Sequence, residues 1–209
     1  LEYVIFEESA SNEDMEAQKE DLTALIDGFN AADDVAFYVN DNSDQNFVDQ
    51  WVRKEGMAQI LRDSLLALPE GDVYGPYRDG SNFKLSKVVA TMQMPDSVEA
   101  RHILIPVGLS RADSITRSPQ EARAFADSLY AELKKNRRKF ADFVRAHSSD
   151  LGSVEKGGHY DYFGYNTMVA PFRDFCFEGR TGDLGVVESQ FGVHIIEIEG
   201  QKEKSTAYK

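Results

Sequence analysis

The sequence predicts an α+β protein of two domains, each with a small, mostly antiparallel sheet and helices packed against it. Two observations lead to this prediction. The same order of elements, a strand, a long helix, shorter helices and closing strands, is indicated once before residue 95 and once after residue 99. Between the two runs, Met94–Ser97 has turn chemistry, with proline followed by aspartate and serine. We therefore place the domains at 1–95 and 99–201 and expect a polar tail at 202–209.

In the N-terminal half, the apolar run Tyr3–Phe6 predicts a strand, and it is followed by a helix that Ser11 or Asn12 can cap. Apolar residues then recur at helical spacing as far as Phe29. Further predictions are an extended run at 36–39, short helices at 47–52 and 60–68, and a strand at 83–89.

In the C-terminal half, Arg101–Ile105 predicts the first strand. Ser118 as the N-cap and Pro119 in the first turn predict a long helix, which ends near the basic segment Lys134–Lys139. Further predictions are a short helix at 140–144, a glycine-bearing loop at 148–158, another short helix at 172–177, and strands around 186–187 and 193–198.

The excess negative charge of the chain is confined to its first half. Residues 1–98 carry 20 Asp and Glu against seven Lys and Arg, whereas residues 99–209 carry 16 of each kind. This excess argues against nucleic acid or an anionic membrane surface as a partner. It is the pattern either of a solvated acidic face or of a site for basic client proteins.

The sequence lacks the features of a membrane span, of an internal disulfide and of a cysteine-based zinc site. No apolar run approaches the length of roughly 20 residues that a membrane span needs. The chain starts at Leu1 without the basic and apolar regions of a signal peptide, so we expect any signal or anchor to lie upstream and no direct membrane contact by this segment. The single cysteine, Cys176, leaves no partner for an internal disulfide and no cysteine cluster for zinc.

Five segments of the C-terminal half resemble, in the same order, the parvulin family of peptidyl-prolyl cis/trans isomerases. They are the histidine-bearing strand Ala100–Leu104, the run Phe140–Phe143 with Ser148–Asp150 and Gly157–Gly158, the Met-x-x-x-Phe segment Met168–Phe172, the turn Gly182–Leu184, and the second histidine-bearing strand Gln190–Ile196. The resemblance implies a parvulin domain of FKBP-like topology at 99–201.

The repeated order of elements, with Gly71–Val73 and Gly75–Pro76 before a last strand, suggests a second parvulin-like copy at 1–95. This copy is degenerate, because the first histidine of the chain is His102 and both the glycine pair and the Met-x-x-x-Phe segment are missing. Tandem copies of which one is degenerate resemble the bacterial envelope foldases of the PpiD and SurA group. The resemblance implies a periplasmic or cell-envelope location, clients that are unfolded or nascent envelope proteins with X–Pro bonds, and, in the anchored type, a membrane anchor upstream.

An isomerase of X–Pro bonds lowers a rotation barrier of roughly 20 kcal/mol without making or breaking a bond. We therefore expect no nucleophile, metal or cofactor, but a pocket that binds the twisted amide better than its planar forms. By the resemblance, Met168, Phe172 and Phe191 form the apolar wall of this pocket, and Tyr160 lies at its rim. The alternative is that the three apolar side chains belong to the ordinary core.

His102 and His194 lie on strands that are neighbours in a parvulin sheet, and we expect them to form a hydrogen-bonded pair at the pocket floor. Asp150 is the polar candidate where the family has a cysteine or an aspartate, but a shift of one residue would place Leu151 there instead. Asp150 could equally close its loop as an Asx residue. The catalytic candidates are therefore His102, Asp150 and His194.

Two further features bear on activity. The family commonly has Gly-Gly-Asp-Leu-Gly where this chain has Gly157–Asp161, so Tyr160 replaces an aliphatic residue. These departures favour, as the alternative function, a non-catalytic chaperone or substrate-binding module that retains the groove. Arg111 and Arg117 are spread along a loop that we expect to be solvated, rather than clustered as in phosphate-directed parvulins, so we expect no need for a phosphorylated substrate.

Overall fold

The computed structural model describes residues 10–209 apart from 111 and 113, so the strand predicted at Tyr3–Phe6 lies outside the described residues. The fold class is α+β, with an antiparallel sheet and packed helices. The chain divides into two compact units. Unit 1 comprises Leu1–Met92 and Thr206–Lys209, and unit 2 comprises Gln93–Ser205.

The described part of unit 1 consists of short helices and a β-hairpin. Its elements are α1 (Asn12–Ala24), α2 (Ile26–Ala31), α3 (Val35–Asn42), β1 (Val52–Arg53), α4 (Gln59–Asp63), β2 (Val73–Asp79) and β3 (Asn82–Lys87). Ser11 begins α1 through a capping box with Asp14, which confirms the predicted cap. β2 and β3 pair antiparallel, and α1 packs against both.

Two predictions for unit 1 are wrong. Residues 36–39 lie in α3 rather than in an extended run, because Asp34 caps this helix by accepting a hydrogen bond from the Phe37 N–H (2.8 Å). Residues 47–52 form no helix, and the Phe47 N–H donates instead to the side-chain oxygen of Asn40 (2.7 Å). The described part of unit 1 thus begins with three helices, and its status as a degenerate parvulin copy stays a prediction.

Unit 2 is built on a sheet with the strand order β8–β9–β4–β7. The elements of this part of the chain are β4 (Thr91–Ile105), β5 (Gly108–Leu109), β6 (Thr116–Arg117), α5 (Pro119–Lys135), α6 (Phe140–His147), β7 (His159–Phe163), α7 (Ala170–Glu178), β8 (Leu184–Ser189) and β9 (Gly192–Tyr208). β7 runs antiparallel to β4, and β8 and β9 form a hairpin. Of the strands in this part of the chain, β5, β6 and β7 are not among the sequence predictions. Within the described residues, no helix is both long and apolar enough to cross a bilayer.

The core of unit 2 lies between the sheet and the helices α5 and α6. Ser118 begins α5 through a capping box with Glu121, and Pro119 occupies its first turn, as predicted. The buried residues of the core are Ile103, Ile105, Ala122, Ala126, Leu129, Leu133, Phe140, Val144, Val193 and Ile195. Each large side chain among them stabilises the fold by about 2 kcal/mol. The packing of α5 and α6 therefore fixes the positions of β4 and β9 on one face of the sheet.

The chain around both unit boundaries is more regular than its composition predicts. The linker predicted at Met94–Ser97 is wrong, because these residues lie within β4 and Met94 is only 1% exposed. Burial of this stretch outweighs its turn propensity. The predicted polar tail, 202–209, is corrected in the same way, since residues up to Tyr208 continue β9 and the buried Ala207 pairs with Arg53 of β1.

Candidate active site

Two buried histidines meet on neighbouring strands of unit 2. His102 on β4 and His194 on β9 are each 4% exposed, and their Nδ1 atoms are 3.2 Å apart. The two rings are nearly parallel, with centroids 5.4 Å apart. Because side chains alternate along a strand, His102 lies on the face of β4 opposite the core residue Ile103. The predicted pair is therefore formed on the sheet face that α5 and α6 leave free.

The carboxylate of Asp150 approaches His102 from the loop that follows α6. Its Oδ2 atom accepts hydrogen bonds from His102 Nε2 (2.7 Å), from the Tyr160 hydroxyl (2.9 Å) and from the Ser153 hydroxyl. These hydrogen bonds, the one from His102 foremost, lower the pKa of Asp150 below its ordinary value although burial opposes them. Asp150 is therefore an anion bound to the histidine pair.

Of the two residues that the sequence left open at this position, Asp150 is the one that faces His102. The side chain of Leu151 is 68% exposed. Asp150 also accepts the N–H of Gly152 at its other oxygen, Oδ1 (3.2 Å), which is the Asx contact of a loop residue. Asp150 thus closes its loop with one oxygen and accepts the hydrogen bond of His102 with the other.

The hydrogen bonds of the site form one chain that runs from Ser189 to Asp150. Since the ionised Asp150 can only accept, His102 Nε2 carries the hydrogen. When both rings are neutral, His102 Nδ1 accepts from His194 Nδ1–H, and His194 Nε2 accepts from the Ser189 hydroxyl, 2.7 Å away. Ser189 Oγ in turn accepts the Phe191 N–H (3.1 Å). Burial, and then the neighbouring His102, lower the pKa of His194 to about 4, so this ring is neutral at neutral pH.

Phe172, on α7, covers the histidine pair with the edge of an apolar ring. It is 2% exposed, and its ring centroid lies 5.3 Å from that of His102 and 5.6 Å from that of His194, both nearly perpendicular. Phe163 on β7 lies behind it, with centroids 6.1 Å apart. The two histidines therefore border an aromatic ring rather than water.

The two remaining pocket candidates lie in loops, one between β7 and α7 and the other between β8 and β9. Met168 is half-buried and precedes the first residue of α7 by two positions. Phe191 is 55% exposed in the turn between β8 and β9. Their membership of the pocket wall stays a prediction. The sequence-predicted residues that the structure brings into mutual contact are His102, Asp150, Tyr160, Phe172 and His194.

The arginine of the loop before α5 is packed against that helix. Arg117 is 7% exposed, and its guanidinium lies 4.3 Å from the centroid of the Phe125 ring. The expectation of a solvated loop is therefore wrong at Arg117, whereas Arg111 lies outside the described residues.

Other titratable groups of unit 2 are engaged away from this chain of hydrogen bonds. His159 on β7 is bonded to Glu199 (2.7 Å) and Asp161 (3.3 Å), and the hydrogen bond with Glu199 is the main cause that raises its pKa. Burial raises the pKa of the Cys176 thiol to about 12, so the thiol stays protonated. In the part of the chain that the structure describes, no three His, Cys, Asp or Glu side chains form a group that could hold a metal ion.

The predictions do not include two serines that take part in the site. Ser153 is completely buried and donates to Asp150, and Ser189 closes the β8–β9 hairpin and donates to His194. Serine is an ordinary residue of loops and hairpin ends. A serine three residues after an aspartate, or five before a histidine, therefore gives a signal too weak to single out either residue without the structure.

Comparisons with known proteins point to the same part of the chain. The profile of the PPIC-type PPIase domain matches residues 83–202. Chaperone SurA of Pseudoalteromonas translucida is 29% identical over 153 residues, which are 71% of this chain and 34% of that protein. Chaperone SurA of Salmonella choleraesuis is 27% identical over 202 residues, which are 92% of this chain and 46% of that protein. The chain thus spans between a third and a half of the length of these relatives.

Among solved structures, the peptidylprolyl isomerase PrsA of Bacillus anthracis is 26% identical to this chain, with a TM-score of 0.42. The similarity covers 53% of this chain and 44% of that one. The profile match is the stronger finding, because residues 83–202 are more than half of the 209 residues. The chain therefore belongs to the family of PPIC-type, parvulin-fold peptidyl-prolyl cis/trans isomerase domains.

Proposed function

We propose that unit 2 catalyses the cis/trans isomerisation of X–Pro bonds in unfolded or partly folded proteins. The observation that carries this proposal is the buried chain Asp150–His102–His194, which borders the edge of the Phe172 ring. A reaction that breaks no bond needs an apolar socket for the proline ring and a fixed electrostatic environment beside the amide. The Phe172 ring beside the histidine pair and the anionic Asp150 support the proposal.

The residues divide into two roles in this proposal. Phe172, with Met168 and Phe191, holds the pyrrolidine ring, and Tyr160 lies at the rim. Resonance in the planar amide places negative charge on the carbonyl oxygen, and the anionic Asp150 in a site shielded from water disfavours that charge separation. His102 and His194 keep Asp150 in place. Every 1.4 kcal/mol by which the site lowers the roughly 20 kcal/mol barrier gives about a tenfold acceleration.

The test is a protease-coupled assay of cis-to-trans conversion in a short Ala-Pro peptide. We expect the wild-type chain to accelerate the conversion and Met168→Ala to lower kcat/KM about tenfold, since truncating a substrate-binding apolar side chain removes on the order of 1–2 kcal/mol. Leu68→Ala, at an apolar residue of unit 1 that is 37% exposed, is the matched control and should leave the rate unchanged. A wild-type rate no higher than that of buffer, with no effect of Met168→Ala, would refute the proposal.

The second candidate function is a chaperone module that binds unfolded segments in the same groove without isomerising them. The segment His159–Asp161 favours it, because this segment departs from the family pattern next to the candidate site. The name of the relatives reported above, Chaperone SurA, also fits it. Peptide binding to unit 2 in an NMR titration, combined with an absence of catalysed exchange, would establish this candidate in place of the first.

For unit 1 we infer a non-catalytic role as a degenerate copy that binds clients or serves as a spacer. Every histidine of the chain lies at or after His102, so unit 1 lacks the pair on which the site is built. Unit 1 does contain a cavity of about 440 Å³ lined mainly by apolar side chains.

Similarity to SurA chaperones supports unfolded or nascent envelope proteins as clients and a periplasmic location. Fractionation of cells that express the native protein tests the location.

A further inference from the structure

The chain has a tyrosine where the resemblance leads us to expect an aliphatic residue, and this tyrosine is bonded into the candidate site. The Tyr160 hydroxyl donates to Asp150 Oδ2, the same oxygen that accepts from His102 Nε2. We propose that Tyr160 is a positioning residue of the isomerase, whose hydroxyl acts through Asp150 on the histidine pair. The inference rests on the proposed function, because it assigns a role inside that site.

The hydroxyl of Tyr160 is positioned by the sheet, whereas its acceptor lies on a loop. Tyr160 on β7 pairs with Ala100 on β4, and the His102 N–H donates to the Gly158 carbonyl oxygen (2.9 Å). The same two strands therefore fix the His102 backbone and the Tyr160 backbone. Asp150 lies in the segment between α6 and β7. The Tyr160–Asp150 hydrogen bond thus ties this loop to the sheet beside the histidines.

Three donors converge on Asp150 Oδ2, and this leaves the carboxylate little freedom. Besides Tyr160 and His102, the completely buried Ser153 donates to this oxygen. The Gly152 N–H holds the other oxygen, and a Cβ atom built on Gly152 would lie 3.8 Å from the Tyr160 hydroxyl oxygen, so the loop backbone packs against that hydroxyl. A carboxylate held in this way serves as a fixed charge. Without the Tyr160 hydroxyl, Asp150 loses one of the contacts that set its orientation towards His102.

The protonation states of the surrounding groups agree with this role. The titratable groups that face Asp150 are His102 on β4, Tyr160 on β7 and, one ring further along the hydrogen-bond chain, His194 on β9. Burial, and then the hydrogen bond with Asp150, raise the pKa of Tyr160 to about 12, so the hydroxyl remains a donor across the working pH range. Removing a donor to the ionised form raises the pKa of a carboxyl group. Loss of the hydroxyl should therefore raise the pKa of the Asp150 carboxyl group.

The experiment compares Tyr160→Phe, which removes only the hydroxyl, with Tyr160→Leu, which also removes the ring. Tyr162→Phe is the matched control, since it removes a hydroxyl from the same strand at a side chain that is 38% exposed. We expect Tyr160→Phe to lower kcat about five- to tenfold, with KM within about twofold, and to raise the pKa of Asp150. Tyr160→Leu should show a similar loss of kcat, and Tyr162→Phe should behave as the wild type.

The inference is overturned if Tyr160→Phe keeps the wild-type kcat. It is also overturned if Tyr160→Phe raises KM while kcat is unchanged, because Tyr160 would then act on substrate rather than through Asp150. A second measurement does not depend on activity. We expect NMR titration of the Asp150 carboxyl carbon to give a higher pKa in Tyr160→Phe than in the wild type, with spectra that remain dispersed in both. An inactive wild type would refute the proposed function and with it the catalytic role of Tyr160, whereas an unchanged Asp150 titration in an active enzyme would refute this inference alone.

Discussion

The side chains around Asp150 are engaged in a way that makes the carboxylate hard to replace. His102, Tyr160 and Ser153 all donate to one of its oxygens, and each is wholly or largely withdrawn from water. A hydrogen bond to a charged group contributes about 1.5–3 kcal/mol, and a buried donor left without a partner costs a similar amount. A substitution at Asp150 therefore alters the hydrogen bonding of His102 and, through it, of His194.

We expect Asp150→Asn to lower kcat/KM by about ten- to a hundredfold, because the amide keeps the shape of the side chain but removes the charge that we propose lies beside the amide bond of the substrate. Leu151→Ala is the control, since this neighbouring side chain is exposed, and its kcat/KM should stay within about twofold of the wild type. The isomerisation assay measures both. Equal losses in the two variants, or a fully active Asp150→Asn, would contradict the assignment of Asp150.

Much of the site could be predicted from the sequence because the segments that carry its residues resemble the parvulin family. The two histidine-bearing strands and the Met168–Phe172 segment predict the pair and its aromatic neighbour before any coordinates are considered. Ser153 and Ser189 were not accessible, since serine is common in turns whatever it binds. Arg117 was misjudged because its stacking on Phe125 depends on where α5 begins in space, which composition does not show.

Among the strands and helices, the approach of β7 to β4 decides the geometry of the site. Gly158 precedes β7 with a φ of +85°, and a Cβ atom at this position would lie 2.3 Å from the His102 carbonyl oxygen and 2.8 Å from Val144 Cγ2. Only glycine fits both the left-handed conformation and the close contact. This residue therefore lets the Tyr160 strand reach the histidine strand.

Gly158→Ala should lower the free energy of unfolding by about 2–4 kcal/mol, because positive φ and the backbone contact both oppose a side chain there. Gly164→Ala is the control, since a Cβ at Gly164 has nothing within 4 Å, and it should change stability by less than about 0.5 kcal/mol. Urea unfolding measures both variants. A Gly158→Ala protein as stable as Gly164→Ala would contradict the close packing of β7 on β4.

Elements with strong local signals were predictable, and those set by tertiary contacts were not. The capping box and the proline of the first turn identify α5 from its sequence. By contrast, Met94–Ser97 has the composition of a turn and still lies in β4, because burial of Met94 and Val98 outweighs local preference. In unit 1, residues 36–39 are apolar and fit a strand as well as a helix. Their sequence alone therefore does not show that Asp34 caps a helix there.

The chain taken as a whole combines an acidic first half with a neutral second half, and three of its groups with shifted pKa values, Asp150, His159 and His194, lie in unit 2. The folded state keeps His194 neutral, with a pKa of about 4 against the ordinary 6.5. The unfolded state therefore takes up a proton that the folded state does not. The stability that depends on this group is present above pH 6.5 and is lost as the pH falls towards 4. Asp150 adds a loss at still lower pH, because its pKa is also lowered on folding.

We expect the free energy of unfolding to fall by up to about 3 kcal/mol between pH 6.5 and 4 through His194. His159 acts in the opposite direction: its pKa is raised, so its contribution is complete below pH 6.5 and is lost as the pH rises through the folded value. Urea unfolding across this range measures the first effect, and His159→Gln removes the second. Stability that stays constant from pH 6.5 to 4 would contradict a buried, neutral His194.

The site in unit 2 is most directly tested by NMR exchange spectroscopy on an Ala-Pro peptide with a small amount of the chain added. Uncatalysed exchange takes tens to hundreds of seconds and gives no cross-peaks on the NMR timescale. We predict cross-peaks between the cis and trans signals of the peptide with the wild-type chain, and their loss with Phe172→Leu in a protein that remains folded. A folded wild-type chain that gives no cross-peaks, or cross-peaks that Phe172→Leu leaves undiminished, would contradict isomerisation at the histidine pair.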